Sequence, residues 1–203
     1  MHFEFLVEEL SAEAALANLV PKLLEANHTF AIHPFQGKGD LLSNLPSRLR
    51  AYRAWIPKDW RVVVLIDEDR ADCKVLKGKL EKVAKEAGLA TRSSTKGQSP
   101  FIVLNRLAIE ELEAWFFGDI VALKAAYPKI PSSLGERAKY RDPDSIAGGT
   151  WEALERELKK VGYYPTGMPK IEVSRNVSRY MDASRNRSYS FQVFVSGLRA
   201  CLL

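Results

Sequence analysis

From Val62 to Ile66 every residue is aliphatic, four of the five are β-branched, and the run breaks at Asp67, Glu68 and Asp69. A run this short, bounded by charge, reads as a strand over 61–67 that is buried on both faces. Phe3–Val7 has the same character and ends at Glu8 and Glu9; Phe101–Ala108 is followed by Glu110, Glu111 and Glu113; His28–His33 makes a fourth candidate. The segments between them change period. Leu16, Leu19, Val20, Leu23 and Leu24 fall on one helical face, with Ser11 as the expected N-cap and Pro21 expected to kink or restart the helix. Leu41–Trp55, interrupted by Pro46, reads as a second helix. Leu76, Leu80, Val83, Ala84 and Ala87 mark a third, from about Arg70 to Ala87, stopped by Gly88. Thr91–Ser99 is loop-like, with Ala90–Ser93 a candidate for one more short strand. Strands alternating with helices predict a parallel α/β sheet.

Beyond Trp115 the pattern shortens into helices and turns. Asp119–Tyr127 is expected to be helical, Arg141–Ile146 a turn into a short helix, and Thr150 the cap of a helix over Trp151–Val161. After a loop from Gly162 to Pro169, helices are expected over 170–181 and 190–201. The stripe Phe191, Phe194, Val195, Leu198 and Leu202 reads as core, and so does Trp115. Asp142 and Asp144 flank a proline and read as caps. No Gly/Ser linker divides the chain, so the expected organisation is an α/β core over 1–118 with a helical cap over 119–203, in one compact domain.

Length and composition agree: 203 residues, 46% hydrophobic and 27% charged, suit a single folded domain. No apolar run reaches the roughly 20 residues of a membrane helix, and the N-terminus lacks a signal-peptide pattern, so a cytoplasmic chain is expected. Cys73 and Cys201 cannot form a disulfide framework or a thiolate metal site and read as structural thiols. The net charge of +5 is unevenly spread. Residues 36–61 carry six basic side chains against two acidic ones, and residues 170–199 repeat that ratio. Two basic segments around an acidic remainder suit a polyanion held beside a metal site. Lys38 and Arg48 from the first segment, with Arg185 and Arg187 from the second, are the candidate nucleic-acid contacts.

The candidate chemistry lies where the strands end. Asp67 and Asp69 are two apart, so on extended chain both carboxylates point to one side. If the strands are parallel, Glu8 and Glu9, Asp67 and Asp69, and Glu111 and Glu113 share one edge of one sheet. Glu111 and Glu113 do not share a helix face, so both can coordinate only where the chain is extended or turning. Clustered carboxylates repel unless a cation neutralises them, and oxygen-only ligands suit Mg²⁺ or Mn²⁺ rather than zinc. Such ions clamp phosphoryl groups for in-line attack. Other chemistries find no support: Gly37-Lys38-Gly39 is not a Walker A loop, no serine sits in a nucleophile elbow, and the three histidines have no metal-site spacing.

Leu6-Val-Glu-Glu-Leu-Ser-Ala-Glu13, Val64-Leu-Ile-Asp-Glu-Asp69, Glu111-Leu-Glu-Ala-Trp-Phe-Phe-Gly-Asp119 and Arg187-Ser-Tyr-Ser-Phe191 together resemble a bacterial Toprim-like family described as a domain of unknown function. That family is similar to the Toprim domains of OLD-family nucleases, and many members are encoded beside an AAA/ABC-type ATPase, as in split OLD-like defence systems. The resemblance implies a Toprim-like sheet and a Mg²⁺- or Mn²⁺-dependent nuclease using two ions. Glu8 would be metal ligand or general base, Asp67 and Asp69 metal ligands, and Glu111 and Glu113 the second-metal side. The implied partners are nucleic acid and the ATPase, with a homodimer left open and no membrane. Glu9 departs from the Glu-Gly of OLD-type enzymes, and the next acid is Glu13. Two other classes fit parts of the pattern. A receiver-like phospho-acceptor domain also has acids after its first strand and an Asp after its third, and a non-catalytic nucleic-acid or partner-binding module needs only the basic segments.

Overall fold

Four strands form one parallel sheet in the order β2-β1-β3-β4, with β1 at His2–Val7, β2 at Thr29–Pro34, β3 at Trp60–Asp67 and β4 at Val103–Ala108. The computed structural model describes residues 1–69, 71–96 and 100–202. The predicted α/β class with a parallel sheet flanked by helices is what is observed. The register sets Val7 beside both Pro34 and Leu65, and Asp67 beside Ala108. All four strands therefore end along one carboxyl edge. The chain passes from β1 outward to β2 and then back across β1 to β3. The crevice between the ends of β1 and β3 is thus the switch point where α/β sheets collect ligands.

Alternation along the strands builds two cores. Phe3, Phe5, Val7, Val63, Leu65 and Leu104 face one side, under α1 (Leu10–Leu23) and α8 (Tyr189–Cys201). Leu6, Val62, Val64, Ile66 and Val103 face the other, under α2 (Lys38–Trp55) and α3 (Cys73–Glu86). Burial on both sides explains why β3 is an unbroken aliphatic run. The C-terminal elements lie on the first side: α4 (Glu113–Gly118), α5 (Ile120–Ala126), three 3-10 turns, α6 (Thr150–Lys160) and α7 (Lys170–Ser178), with α7 packed along α1. Trp115 is fully buried between Phe191 and Phe194, and the apolar stripe of α8 is core.

Several boundaries move for identifiable reasons. Neither proline breaks its helix. α1 runs through Pro21, which falls in its last turn, and α2 starts at Lys38 and runs through Pro46. An interior proline costs about 3 kcal/mol. Leu41, Leu45, Leu49 and Tyr52 are buried on both sides of Pro46, at about 1.5–3 kcal/mol for a fully buried large apolar side chain, and they outweigh that cost. Ser11 is not the N-cap; Glu9 is, and the Ser11 hydroxyl donates to the Glu9 carboxylate. Asp72 caps α3 through the amides of Lys74 and Val75, and the expected start at Arg70 lies outside the described residues. The short strand expected at 90–93 reduces to one bridge between Thr91 and Val103, and Gly97–Ser99 of the predicted loop lie outside the described residues. Among the described residues no helix is long and apolar enough to cross a membrane.

Candidate functional site

The loops that leave the carboxyl edge are laced together by their own backbone. Phe35 donates to the Val7 carbonyl at 2.9 Å and Gly37 to the Glu8 carbonyl at 2.9 Å, joining the exits of β1 and β2. Gly37 has φ 94°, a left-handed backbone that glycine adopts without cost. Glu68 donates to the Ala108 carbonyl at 2.8 Å and Asp69 to the Glu110 carbonyl at 2.7 Å, joining the exits of β3 and β4. Asp69 and Glu110 are themselves left-handed, at φ 53° and 59°. Such backbone in non-glycine residues is uncommon and costs roughly 1–3 kcal/mol each. Here it turns two acidic loops toward each other.

The side chains follow from that frame. Across the switch point a Glu8 carboxylate oxygen accepts the backbone N–H of Asp67 at 3.2 Å. Asp67, the last residue of β3, points to the α1 side of the sheet, where α4 begins with Glu113. Glu113 is 2% exposed. Burial pushes its carboxyl up to about 7; Lys170 opposes the shift and Glu111 adds to it. Burial, then Glu113 and Glu8, raise Asp67 well above the usual carboxylate range. Glu8 is also raised, by burial first, with the Asp67 N–H and Lys38 partly offsetting it. The site thus holds one buried carboxyl group, Glu113, and two half-buried ones, Glu8 and Asp67, and both Glu113 and Glu8 oppose the ionisation of Asp67.

Two lysines border it, and neither role was legible in the sequence. Lys38, read there as a phosphate contact, donates to the Glu68 carbonyl at 3.1 Å and pairs with Asp69. Lys170 opens α7, with its ammonium 3.8 Å from the Glu9 carboxylate and 4.7 Å over the Trp151 ring. Burial alone would lower the Lys170 ammonium, but Glu113, Glu9, Glu111 and Asp67 outweigh it and raise the pKa. Its contacts to Glu9 and the strand ends span most of the chain, which no local pattern could reveal.

The remaining candidates are placed differently. Glu111 reaches α6, where one carboxylate oxygen accepts the Thr150 hydroxyl at 3.0 Å and the Trp151 N–H at 2.7 Å. It therefore performs the capping expected of Thr150, which is instead the first residue of α6. Arg48 lies ten residues along α2 from Lys38, about 15 Å from the edge by helical rise, and is exposed. The Arg185 Nε donates to buried Asp119 at 2.8 Å, and its guanidinium also holds the Tyr180 carbonyl. It sits by Lys22, in the last turn of α1, about 18 Å along that helix from Leu10. Arg187 donates to the Gly135 carbonyl at 3.3 Å, and its backbone N–H donates to the Gly118 carbonyl at 2.9 Å. The structure brings together Glu8, Asp67, Asp69, Glu113 and Lys38; it leaves Arg48, Arg185 and Arg187 outside that group.

The donor set is all carboxylate oxygen, which fits a hard divalent cation in chemistry and charge. Its present arrangement does not enclose one: among the described residues no three His, Cys, Asp or Glu side chains form a group able to hold a metal ion. Asp69 is turned onto Lys38 and Glu111 onto α6, so the acids gather at the edge without converging on a point.

The motifs at 111–119 and 187–191 meet away from the acids. The Trp115 indole N–H donates to the Ser190 hydroxyl at 3.0 Å. Ser188 and Ser190 donate through their hydroxyls to Asp144, at 2.7 and 3.1 Å, and Ser188 accepts the Phe191 N–H as the cap of α8. These residues bind α4 to α8 and have a packing role.

A family model described as "Domain of unknown function (DUF4276)" matches residues 7–199, nearly the whole chain. Comparison with curated proteins and with solved structures gave no match.

Proposed function

We propose that this chain, which belongs to the DUF4276 family, is a Toprim-like phosphodiesterase that hydrolyses nucleic acid with Mg²⁺ or Mn²⁺. The observation that carries the reading is the gathering of Glu8, Asp67, Asp69 and Glu113 at the switch-point edge, with Asp67 and Glu113 held above the usual carboxylate range by burial first and then by neighbouring acids, Glu113 and Glu8 acting on Asp67 and Glu111 on Glu113. Buried acids that oppose each other's ionisation cost stability, and perturbed groups of this kind concentrate at functional sites. Glu8, Asp67 and Asp69 would hold one ion, and Glu113 with the outer oxygen of Glu111 a second. A bound divalent ion would polarise a phosphoryl oxygen and stabilise the charge that develops there. Glu8, already hydrogen-bonded across the crevice, is placed to orient an attacking water as ligand or base. Lys38 must release Asp69 as an ion binds and is then free to meet a phosphate. An AAA/ABC-type ATPase partner in a bacterial defence-type system belongs to the same reading and rests on the family resemblance.

One observation favours a second reading. The Lys38–Asp69 pair already neutralises part of the site, as in a non-catalytic module that binds nucleic acid or a partner protein. Calorimetric titration of Mn²⁺ into the wild type and the Asp67→Ala/Asp69→Ala variant separates the two. Saturable binding that the variant loses, with Mn²⁺-dependent cleavage of an oligonucleotide, supports the phosphodiesterase. Absence of binding with or without an oligonucleotide, or binding that the variant keeps, leaves the second reading.

A further inference from the structure

α1 and α7 lie side by side and run the same way, both starting at the acidic edge. Glu9 meets Lys170 at that end. Midway, the Asn18 side-chain amide donates to the Arg175 carbonyl at 3.0 Å and the Ser178 hydroxyl at 2.9 Å. At the far end the Lys22 ammonium donates to the Ser178 carbonyl at 3.0 Å and the Met181 carbonyl at 3.2 Å. The outer seam of this pair is a groove of about 440 Å³, lined by Leu10, Ala14 and Ala17 from α1, by Ile171 and Arg175 from α7 and by Arg179 in the turn that follows α7.

Ile171, Arg175 and Arg179 are spaced by four and share one face of their helix and its continuation. Arg175 and Arg179 are exposed, and although their backbone carbonyls are used, neither guanidinium has an ion pair or hydrogen bond among the described residues. That sets them apart from Arg185 and Arg187, whose side chains are committed to Asp119 and Gly135. The two arginines are set about 6 Å apart along the axis by helical rise, and Arg175 is about 7.5 Å beyond Lys170. Leu10 and Ile171 are 50% and 39% exposed, a large apolar exposure with no fold to serve. Glu13, in the first turn of α1, is the one carboxylate on the lining, and it lies toward the acidic end.

We infer that this groove binds one strand of nucleic acid and leads it to the acidic edge. Arg175 and Arg179 grip consecutive parts of the phosphate backbone, since guanidinium forks match phosphate geometry. Leu10 and Ile171 offer apolar surface to the sugars and base faces that a single strand exposes and a duplex hides. Lys170 stands where the strand enters the site. The inference deepens the phosphodiesterase reading and rests on it for the identity of the polyanion.

The test is fluorescence anisotropy of a labelled single-stranded oligonucleotide with the full chain in EDTA, which makes the binding measurement independent of any metal. Arg175→Glu/Arg179→Glu is expected to weaken binding at least about tenfold. The milder Arg175→Gln/Arg179→Gln is expected to flatten the salt dependence by about 1.4 in log–log slope, two lost phosphate contacts at about 0.7 each on single strands. Lys79→Glu/Lys82→Glu on α3, across the sheet, makes the same change in net charge and should bind as the wild type does. The inference is overturned if the wild type binds no oligonucleotide, if the groove variants bind normally, if the α3 control loses as much, or if a duplex of the same sequence binds more tightly. Mn²⁺ calorimetry on the groove variant separates this from the catalytic reading: intact metal binding with lost strand binding leaves the acidic site standing, and the reverse pattern in Asp67→Ala/Asp69→Ala leaves the groove standing.

Discussion

At the residue scale, the balance of the site turns on Lys38, a cation held among acids. Its ammonium neutralises Asp69 and partly offsets the upward shift of Glu8. The Lys38→Met variant keeps most of the side-chain length without the charge, and it leaves Asp69 to a competing cation. At an effective dielectric near 20, a unit charge several ångströms away is worth a few kcal/mol, and exposure of Asp69 screens that to about 1–2 kcal/mol. Mn²⁺ affinity, measured by calorimetry, is expected to rise about tenfold in the variant while cleavage slows. A fall in affinity would mean that Lys38 positions the carboxylates rather than competes for them. Glu8, Asp67 and Asp69 were legible in the sequence because each stands at the break of a strong strand pattern, and parallel pairing puts all such breaks on one edge. Lys38 was legible as a loop lysine, but its partner was not, because the bond to Asp69 depends on β2 and β3 flanking β1. The commitment of Arg185 was hidden for the same reason: Asp119, its buried partner, was legible only as the start of a helix 66 residues earlier in the chain.

Elements whose apolar period is strong were found close to their true limits, and the errors gather where tertiary contacts override local rules. Pro46 is the clearest case. A local rule ends the helix there, yet two buried turns on either side keep α2 continuous. The start of α6 is the more consequential one. Thr150 has the side chain of a cap, but the cap is the Glu111 carboxylate from a loop 39 residues before Thr150, a contact no window on the sequence contains. Two roles can therefore be separated for Glu111. Glu111→Ala removes the acceptor from the Thr150 hydroxyl and the Trp151 N–H and is expected to cost about 1–2 kcal/mol. Glu111→Gln keeps a carbonyl acceptor at the helix and should recover most of that stability. If Glu111 also serves a second ion, Glu111→Gln weakens Mn²⁺ binding while its melting temperature stays near that of the wild type. Calorimetry and thermal melts on the two variants read the two roles independently.

For the whole molecule, two groups of acids pull the pH dependence of stability in opposite directions. Far from the site, Glu157 is nearly buried. Burial would raise its pKa, but bonds from Lys160, Tyr140 and Lys139 outweigh it and hold the carboxyl at about 2, with Arg137 also paired to it at 2.9 Å. A carboxyl depressed on folding contributes stability that is complete above its unfolded pKa, near 4.5, and is lost as pH falls toward 2. Since its cationic partners are largely exposed, about 1–2 kcal/mol is the reasonable size of this contribution. Glu113 has the opposite sign. Its folded pKa of about 7 lies above the unfolded value, so the folded state holds the extra proton. Stability then declines as pH rises from about 4.5 to 7 and levels off once the carboxyl is ionised in both states. In EDTA, denaturation midpoints measured from pH 2 to 9 are expected to peak between the two limbs. Glu157→Gln should flatten the acid limb and leave the neutral one, while Glu113→Gln should flatten the neutral limb alone. A neutral limb that persists in Glu113→Gln would place the opposed charge elsewhere at the carboxyl edge, on Asp67 or Glu8, whose pKa values are raised in the same direction.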